Sequence, residues 1–184
     1  AAATKPFGFM SFKPGPGVGG HCIAVDPYYL AWRARTFDFQ AKFIELAAEA
    51  NSRMPSYVAQ RVSLMLNSAG LPVFGSRILA LGAAFKPGVS DTRNSPAIAV
   101  MEILQQWGAQ ISYSDPRVPR IKVGDTELES VPLDREVVEL ADIVVALVAH
   151  PDFDTELVLG SARMIFDAVN MFGGRPSKGR MERL

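Results

Sequence analysis

Cysteine and histidine are scarce in this chain. Among 184 residues there is one cysteine, Cys22, and there are two histidines, His21 and His150. A single thiol excludes an internal disulfide and suits a reducing compartment, so a cytoplasmic protein with no metal site is expected. Charge imbalance is missing too, since 19 Lys and Arg residues face 19 Asp and Glu residues. Without a net field the chain has no general attraction to nucleic acid or to an anionic membrane surface, and neither is expected as a partner. No apolar run approaches the ~20 residues that a membrane span needs. The opening AAATKPFGFMSF lacks the basic region and long apolar core of a signal peptide and reads as a poorly structured N-terminal remnant. Hydrophobic residues at 48% and charged residues at 21% point to an ordinary globular core rather than disorder.

Glycine and proline are present and unevenly placed. Residues 13–26, KPGPGVGGHCIAVD, hold four of the 15 glycines, two prolines, His21 and Cys22. Neither a helix nor a strand tolerates that density, so a turn is expected whose backbone approaches a ligand closely. Inward-pointing N–H groups of such a turn hold anions such as phosphate. A thiol just after it is placed to act as a nucleophile, and Asp26, four residues on, to assist proton transfer. The competing reading is that Cys22 is an inert, small, buried hydrophobe.

Asp26-Pro27 opens a helix, with Asp26 as N-cap, and Tyr28, Tyr29, Leu30 and Trp32 follow. Residues 38–69 form a long helical stretch, with Phe39, Phe43, Leu46, Ala47 and Ala50 at helical spacing. Pro55 predicts a kink there, or a stop and a restart capped by Ser52. Gly70 ends it. A helix this long, apolar on more than one face, buries either against a partner subunit or in the domain's own core. From Arg77 onward the pattern alternates. Strands are expected at Ile78, Ile111, Ile143 and Met164, with helices after Ser95, at 133–140 and at 154–159. Residues 118–132 read as irregular with a short central strand, and the tail from Gly173 as frayed. The fold class is therefore α/β, a long helix followed by a Rossmann-like doubly wound parallel sheet. Ligands of such sheets sit beyond the carboxyl ends of the strands, the edge that carries Lys86, Asp115, His150 and Asp167. Lys86 and Arg93 suit a diphosphate there, or else form ion pairs with Asp91 or Glu102. No G-x-G-x-x-G follows the first strand, so the usual dinucleotide signal is missing.

Two blocks, GPGVGGHCIAVDPYYL and LGAAFKPGVSDTRNSPAIAVMEIL, resemble the UDP-glucose/GDP-mannose dehydrogenase family. The GGHCIAVDP segment is similar to its UDP-N-acetylhexosamine branch. The UDP-glucose branch usually has Ser before the Cys and Lys before the Asp, where this chain has His21 and Val25. The DAVN segment also departs from the DGRN-like segment of that branch. The resemblance implies the C-terminal portion of an NAD-dependent UDP-sugar 6-dehydrogenase of the UDP-N-acetylmannosamine type, which serves cell-surface polysaccharide synthesis. Cys22 is then the nucleophile, and Asp26 the carboxylate that assists thioester hydrolysis. Lys13, Gly15, Gly17 and Gly19, with Phe85 and Lys86, contact the UDP-sugar, and Arg93 reaches toward the NAD phosphates. The implied division is a Cys loop over 1–26, a helical dimerisation region over 27–72 and a UDP-sugar-binding domain over 73–184. The family's NAD-binding domain has no counterpart in this sequence, so the chain by itself is expected to be inactive, with NAD held mainly outside it. The other reading is a non-catalytic nucleotide-sugar-binding or dimerisation module.

Overall fold

The computed structural model describes Thr4, Phe7, Gly8 and residues 13–184. Most of the expected N-terminal remnant therefore lies outside the described residues. Two helices come first, α1 (Asp26–Arg35) and α2 (Lys42–Ser68). A βα alternation follows: β1 (Arg77–Leu81), α3 (Pro96–Gln106), β2 (Gln110–Ser114), β3 (Arg120–Val123), β4 (Thr126–Glu129), α4 (Arg135–Leu140), β5 (Ile143–Ala146), α5 (Thr155–Ser161), β6 (Met164–Asp167) and β7 (Arg180–Arg183). Five strands form one parallel sheet in the order β2-β1-β5-β6-β7, and β3 and β4 form a separate antiparallel pair.

The sheet is buried on both faces, as a parallel sheet flanked by helices must be. Side chains alternate along each strand. Ile78, Ala80, Ile143, Val145 and Phe166 pack toward Val58, Val62, Met65 and Leu66 of α2 and Val100, Met101 and Leu104 of α3. Leu79, Leu81, Val144, Ala146 and Ile165 pack the other way, toward Val138 of α4 and Val158 and Leu159 of α5. The reversal of strand order falls between β1 and β5, which leaves a crevice at their carboxyl ends. Gly82 closes the approach there. Its φ is +88°, and a Cβ would collide with the Cβ and carbonyl of Val148.

Several local expectations are corrected. Val25, not Asp26, is the N-cap of α1, and Asp26 is its first residue. α2 runs through Pro55 without a break. Ser52 does not restart it; its hydroxyl donates to the carbonyl of Glu49, three residues back. At the C-terminus of α2 the N–H of Leu71 donates to Leu66 and that of Gly70 to Asn67, the paired closure that a glycine after the last turn allows. The segment expected to be irregular contains the β3–β4 hairpin, turning at Gly124. The tail does not fray. β7 adds to the sheet beside β6, and the Lys178 N–H donates to the Leu159 carbonyl at 2.8 Å. The sequence RMER carries no apolar alternation, and only pairing with β6 makes it a strand.

Candidate nucleotide-sugar site at the sheet switch point

A cavity of about 230 Å³ occupies the crevice between the ends of β1 and β5. One wall is Lys13, Pro14, Gly15, Pro16 and Gly17; the opposite wall is Ala84, Phe85, Lys86 and Pro87 with Leu147, Val148 and Ala149. The structure thus brings together Lys13, Gly15, Gly17, Phe85 and Lys86, residues about 70 positions apart in sequence. The Lys86 ammonium lies 5.4 Å from the centre of the Phe85 ring, which tethers its stem beside the cavity.

Gly19 and Gly20 stand behind this wall and explain the glycine density. A Cβ on Gly19 would lie 2.5 Å from the Asn94 carbonyl oxygen, 2.8 Å from Pro96 Cδ and 3.0 Å from Phe85 Cβ. The Gly20 N–H donates to the Arg93 carbonyl at 3.0 Å, and Asn94 Nδ2 returns a bond to the Gly20 carbonyl at 3.0 Å. From the other side Asn51, inside α2, grips the peptide of Val18: the Val18 N–H donates to Oδ1 at 2.6 Å, and Nδ2 donates to the Val18 carbonyl at 3.0 Å. Neither asparagine stood out as a site residue in the sequence. A polar side chain in a helix interior, four residues before a proline, was the one available signal for Asn51.

Cys22 is exposed and is not among the cavity walls. Its carbonyl accepts from the N–H groups of Val25 and Asp26 at 3.0 and 2.8 Å, so thiol and carboxylate share the turn that enters α1. Arg93 is paired with Asp91 at 2.6 Å, the ion-pair alternative for this residue. The Asp91 carboxylate pushes the Arg93 guanidinium further up, with a smaller contribution from Cys22. Arg93 in turn holds the Asp91 carboxyl down at about 2, mainly through the side-chain hydrogen bond.

The remaining residues of the carboxyl edge serve the backbone. Asp115 and Asp167 are buried. Asp167 accepts from the N–H groups of Val169, Met171 and Phe172, which folds the DAVN segment beside the cavity. Asp115 accepts from Ala83 and Ala84 at 2.7 and 3.3 Å. These are the amides of the first βα turn, the groups that hold pyrophosphate in a dinucleotide-binding sheet. Here those amides are taken up by the protein's own Asp115 carboxylate. Among the described residues no cluster of His, Cys, Asp and Glu is placed to hold a metal ion, and no helix is long and apolar enough to cross a membrane.

Residues 79–174 match the UDP binding domain of the UDP-glucose/GDP-mannose dehydrogenase family, and residues 1–53 match its central domain. A UDP-N-acetyl-D-mannosamine dehydrogenase of Methanococcus maripaludis is 36% identical over 141 residues, 77% of this chain and 30% of that protein. An NDP-N-acetyl-D-galactosaminuronic acid dehydrogenase of Ralstonia solanacearum is 36% identical over 170 residues, 89% of this chain and 37% of that protein. The solved structure of a UDP-D-ManNAc dehydrogenase from Pyrococcus horikoshii superposes with a TM-score of 0.81 at 30% identity, covering 99% of this chain and 42% of the other. The chain spans about a third of the length of the curated relatives it matches. With its sheet, its switch-point cavity and its glycine loop, the chain belongs to the UDP-glucose/GDP-mannose dehydrogenase family.

Proposed function

We propose that this chain forms the UDP-sugar-binding portion of an NAD-dependent UDP-sugar 6-dehydrogenase, acting in the cytoplasm on a UDP-N-acetylhexosamine of the N-acetylmannosamine type and supplying cell-surface polysaccharide synthesis. The observation that carries the reading is a cavity walled by Lys13–Gly17 on one side and Phe85–Lys86 on the other, at the switch point of a parallel sheet. Lys86 places a cation where a diphosphate would lie. Gly15 and Gly17 let backbone, rather than side chains, face the nucleotide, and Gly19 lets that wall close on Phe85. The relatives named for UDP-N-acetyl-D-mannosamine support the choice of sugar.

In this reading the C6 alcohol is oxidised to a carboxylate, a four-electron change that two successive NAD molecules held outside this domain would accept as one hydride each, the first at the alcohol and the second at the thiohemiacetal. At the aldehyde level the Cys22 thiolate adds to the carbonyl carbon. The new C–S bond gives a thiohemiacetal, whose oxidation leaves a thioester. Asp26 takes a proton from the water that attacks the thioester carbonyl, the C–S bond breaks, and the free thiol and the sugar carboxylate remain. Arg93, released from Asp91, is assigned to the cofactor phosphates. The division of the chain into a Cys loop over 1–26, a helical region over 27–72 and a sugar-binding domain over 73–184 belongs to the same proposal. So does a homodimer that covers the outward apolar residues of α2, where Phe43 is 90% and Leu46 is 62% exposed.

Calorimetric titration with UDP-N-acetylmannosamine, UDP-N-acetylglucosamine and UDP-glucose, beside a Lys86→Ala variant, tests the site. Binding that Lys86→Ala weakens by roughly 10- to 100-fold, the worth of one charge-assisted hydrogen bond, is expected. Binding indifferent to Lys86 would remove the diphosphate from this cavity. One observation favours the alternative of a non-catalytic binding module: Cys22 is absent from the cavity walls. Alkylation of Cys22 separates the two, because a catalytic thiol is protected by bound UDP-sugar and an idle one is not.

A further inference from the structure

The loop that carries Phe85 and Lys86 is fastened at both ends by one buried pair outside the cavity. At its base, Asp115 Oδ2 accepts from the N–H groups of Ala83 and Ala84 at 2.7 and 3.3 Å. At its far end, the Gly88 N–H donates to His150 Nδ1 at 3.1 Å. The two clasps are joined, since His150 Nε2 stands 3.2 Å from the same Oδ2 of Asp115, and both side chains are fully buried. A backbone N–H only donates, so Nδ1 accepts and the ring hydrogen sits on Nε2, pointing at Asp115. Asp115 Oδ1 is held in turn by the N–H groups of Arg117 and Val118 at 2.8 and 3.1 Å, which ties the pair to the end of β2. His150 itself follows β5, and its ring meets the edge of Phe153, with centroids 5.7 Å apart. Three strand ends are thus linked through one imidazole, and the Phe85-Lys86-Pro87 segment spans the gap between the clasps.

We infer that His150 is a positioning residue, which holds Gly88 through Nδ1 and so fixes where Lys86 stands over the cavity without touching the ligand. The inference rests on the nucleotide-sugar reading for its functional consequence, and on the Asp115–His150–Gly88 chain of hydrogen bonds for its structural one. Two substitutions divide the functions of the ring. In His150→Gln the side-chain amide nitrogen reproduces the Nε2 donor to Asp115, and the acceptor for Gly88 is lost. In His150→Asn the amide oxygen stands near the place of Nδ1, so the Gly88 bond is kept and the bond to Asp115 is lost.

The first readout is hydrogen exchange of the Gly88 amide in this chain, which needs no nucleotide. His150→Gln is expected to speed it about tenfold and His150→Asn by no more than about twofold. The second readout is the affinity for UDP. His150→Gln is expected to weaken it roughly fivefold to tenfold when Lys86 is present and to leave it unchanged in a Lys86→Ala background, because a residue that acts through Lys86 has nothing left to position. Equal losses in both backgrounds would show a general loosening of the fold and overturn the inference. Gly88 exchange that His150→Gln leaves unchanged, or that His150→Asn speeds as much as His150→Gln does, would overturn it as well. Failure of the parent chain to bind UDP would strike the reading of the cavity, and the Gly88 exchange would still decide whether His150 holds the loop.

Discussion

Replacing Gly19 by alanine should undock the glycine loop while leaving the sheet intact. The added Cβ would lie 2.5 Å from the Asn94 carbonyl oxygen and 2.8 Å from Pro96 Cδ. One is backbone and the other a ring at the start of α3, so neither can swing aside and the loop must lift. Lifting breaks the bond from the Gly20 N–H to Arg93 and the bond from Asn94 to the Gly20 carbonyl. At about 1 kcal/mol net for each, the docked state loses about 2 kcal/mol, or about thirtyfold in its population against the lifted state. The core stays packed, so the denaturant midpoint should move little, as for a change at a peripheral site. The assay is amide exchange at Gly20, expected to rise about thirtyfold, measured beside Gly15→Ala. At Gly15 the nearest atoms to an added Cβ are 3.9 and 4.0 Å away, so that variant should exchange as the parent does. Unchanged Gly20 exchange in Gly19→Ala, or an equal effect from Gly15→Ala, would refute the argument that close approach explains this glycine.

Two further outcomes can be stated. The Asp91 carboxyl is held at about 2 by Arg93, below its usual 3.8. A depressed carboxylate pKa stabilises the fold above the ordinary value and loses that contribution as pH falls from about 4 toward about 2. In Arg93→Ala the Asp91 carboxyl should therefore titrate near its usual value when followed by NMR, and a titration that stays near 2 would show that the ion pair is not the cause. Phe43→Asp changes a side chain that is 90% exposed, so the single chain should melt as before, while self-association followed by sedimentation should be lost. Sedimentation identical to the parent would count against the proposed homodimer through this face of α2.

Much of the fold was legible locally. The apolar run ILAL, the helix start after Ser95 and the glycine at 70 are signals whose meaning depends on neighbours within one or two turns, and each element came out where those signals lie. The glycine loop and the FKPG turn could be matched to a family because close approach at Gly19 and Gly20 and the positive φ of Gly88 restrict residue type strongly, whatever the context. Other features depend on distant partners. Arg180–Arg183 becomes a strand because the edge of β6 offers unpaired amides and carbonyls to it. Asn51 becomes a clamp because the fold carries Val18, 33 residues earlier, against α2. The buried roles of Asp115 and His150 were likewise hidden, since at the edge of a parallel sheet an acid and an imidazole look alike whether they meet a ligand or hold a turn. Only the distances to Ala83, Ala84 and Gly88 show that they hold a turn. Residue type and local spacing therefore determined the elements and the chemistry available at the loop. The tertiary structure decided which of those groups face the cavity and which hydrogen bonds keep them there, because each such contact joins residues that the chain itself keeps far apart.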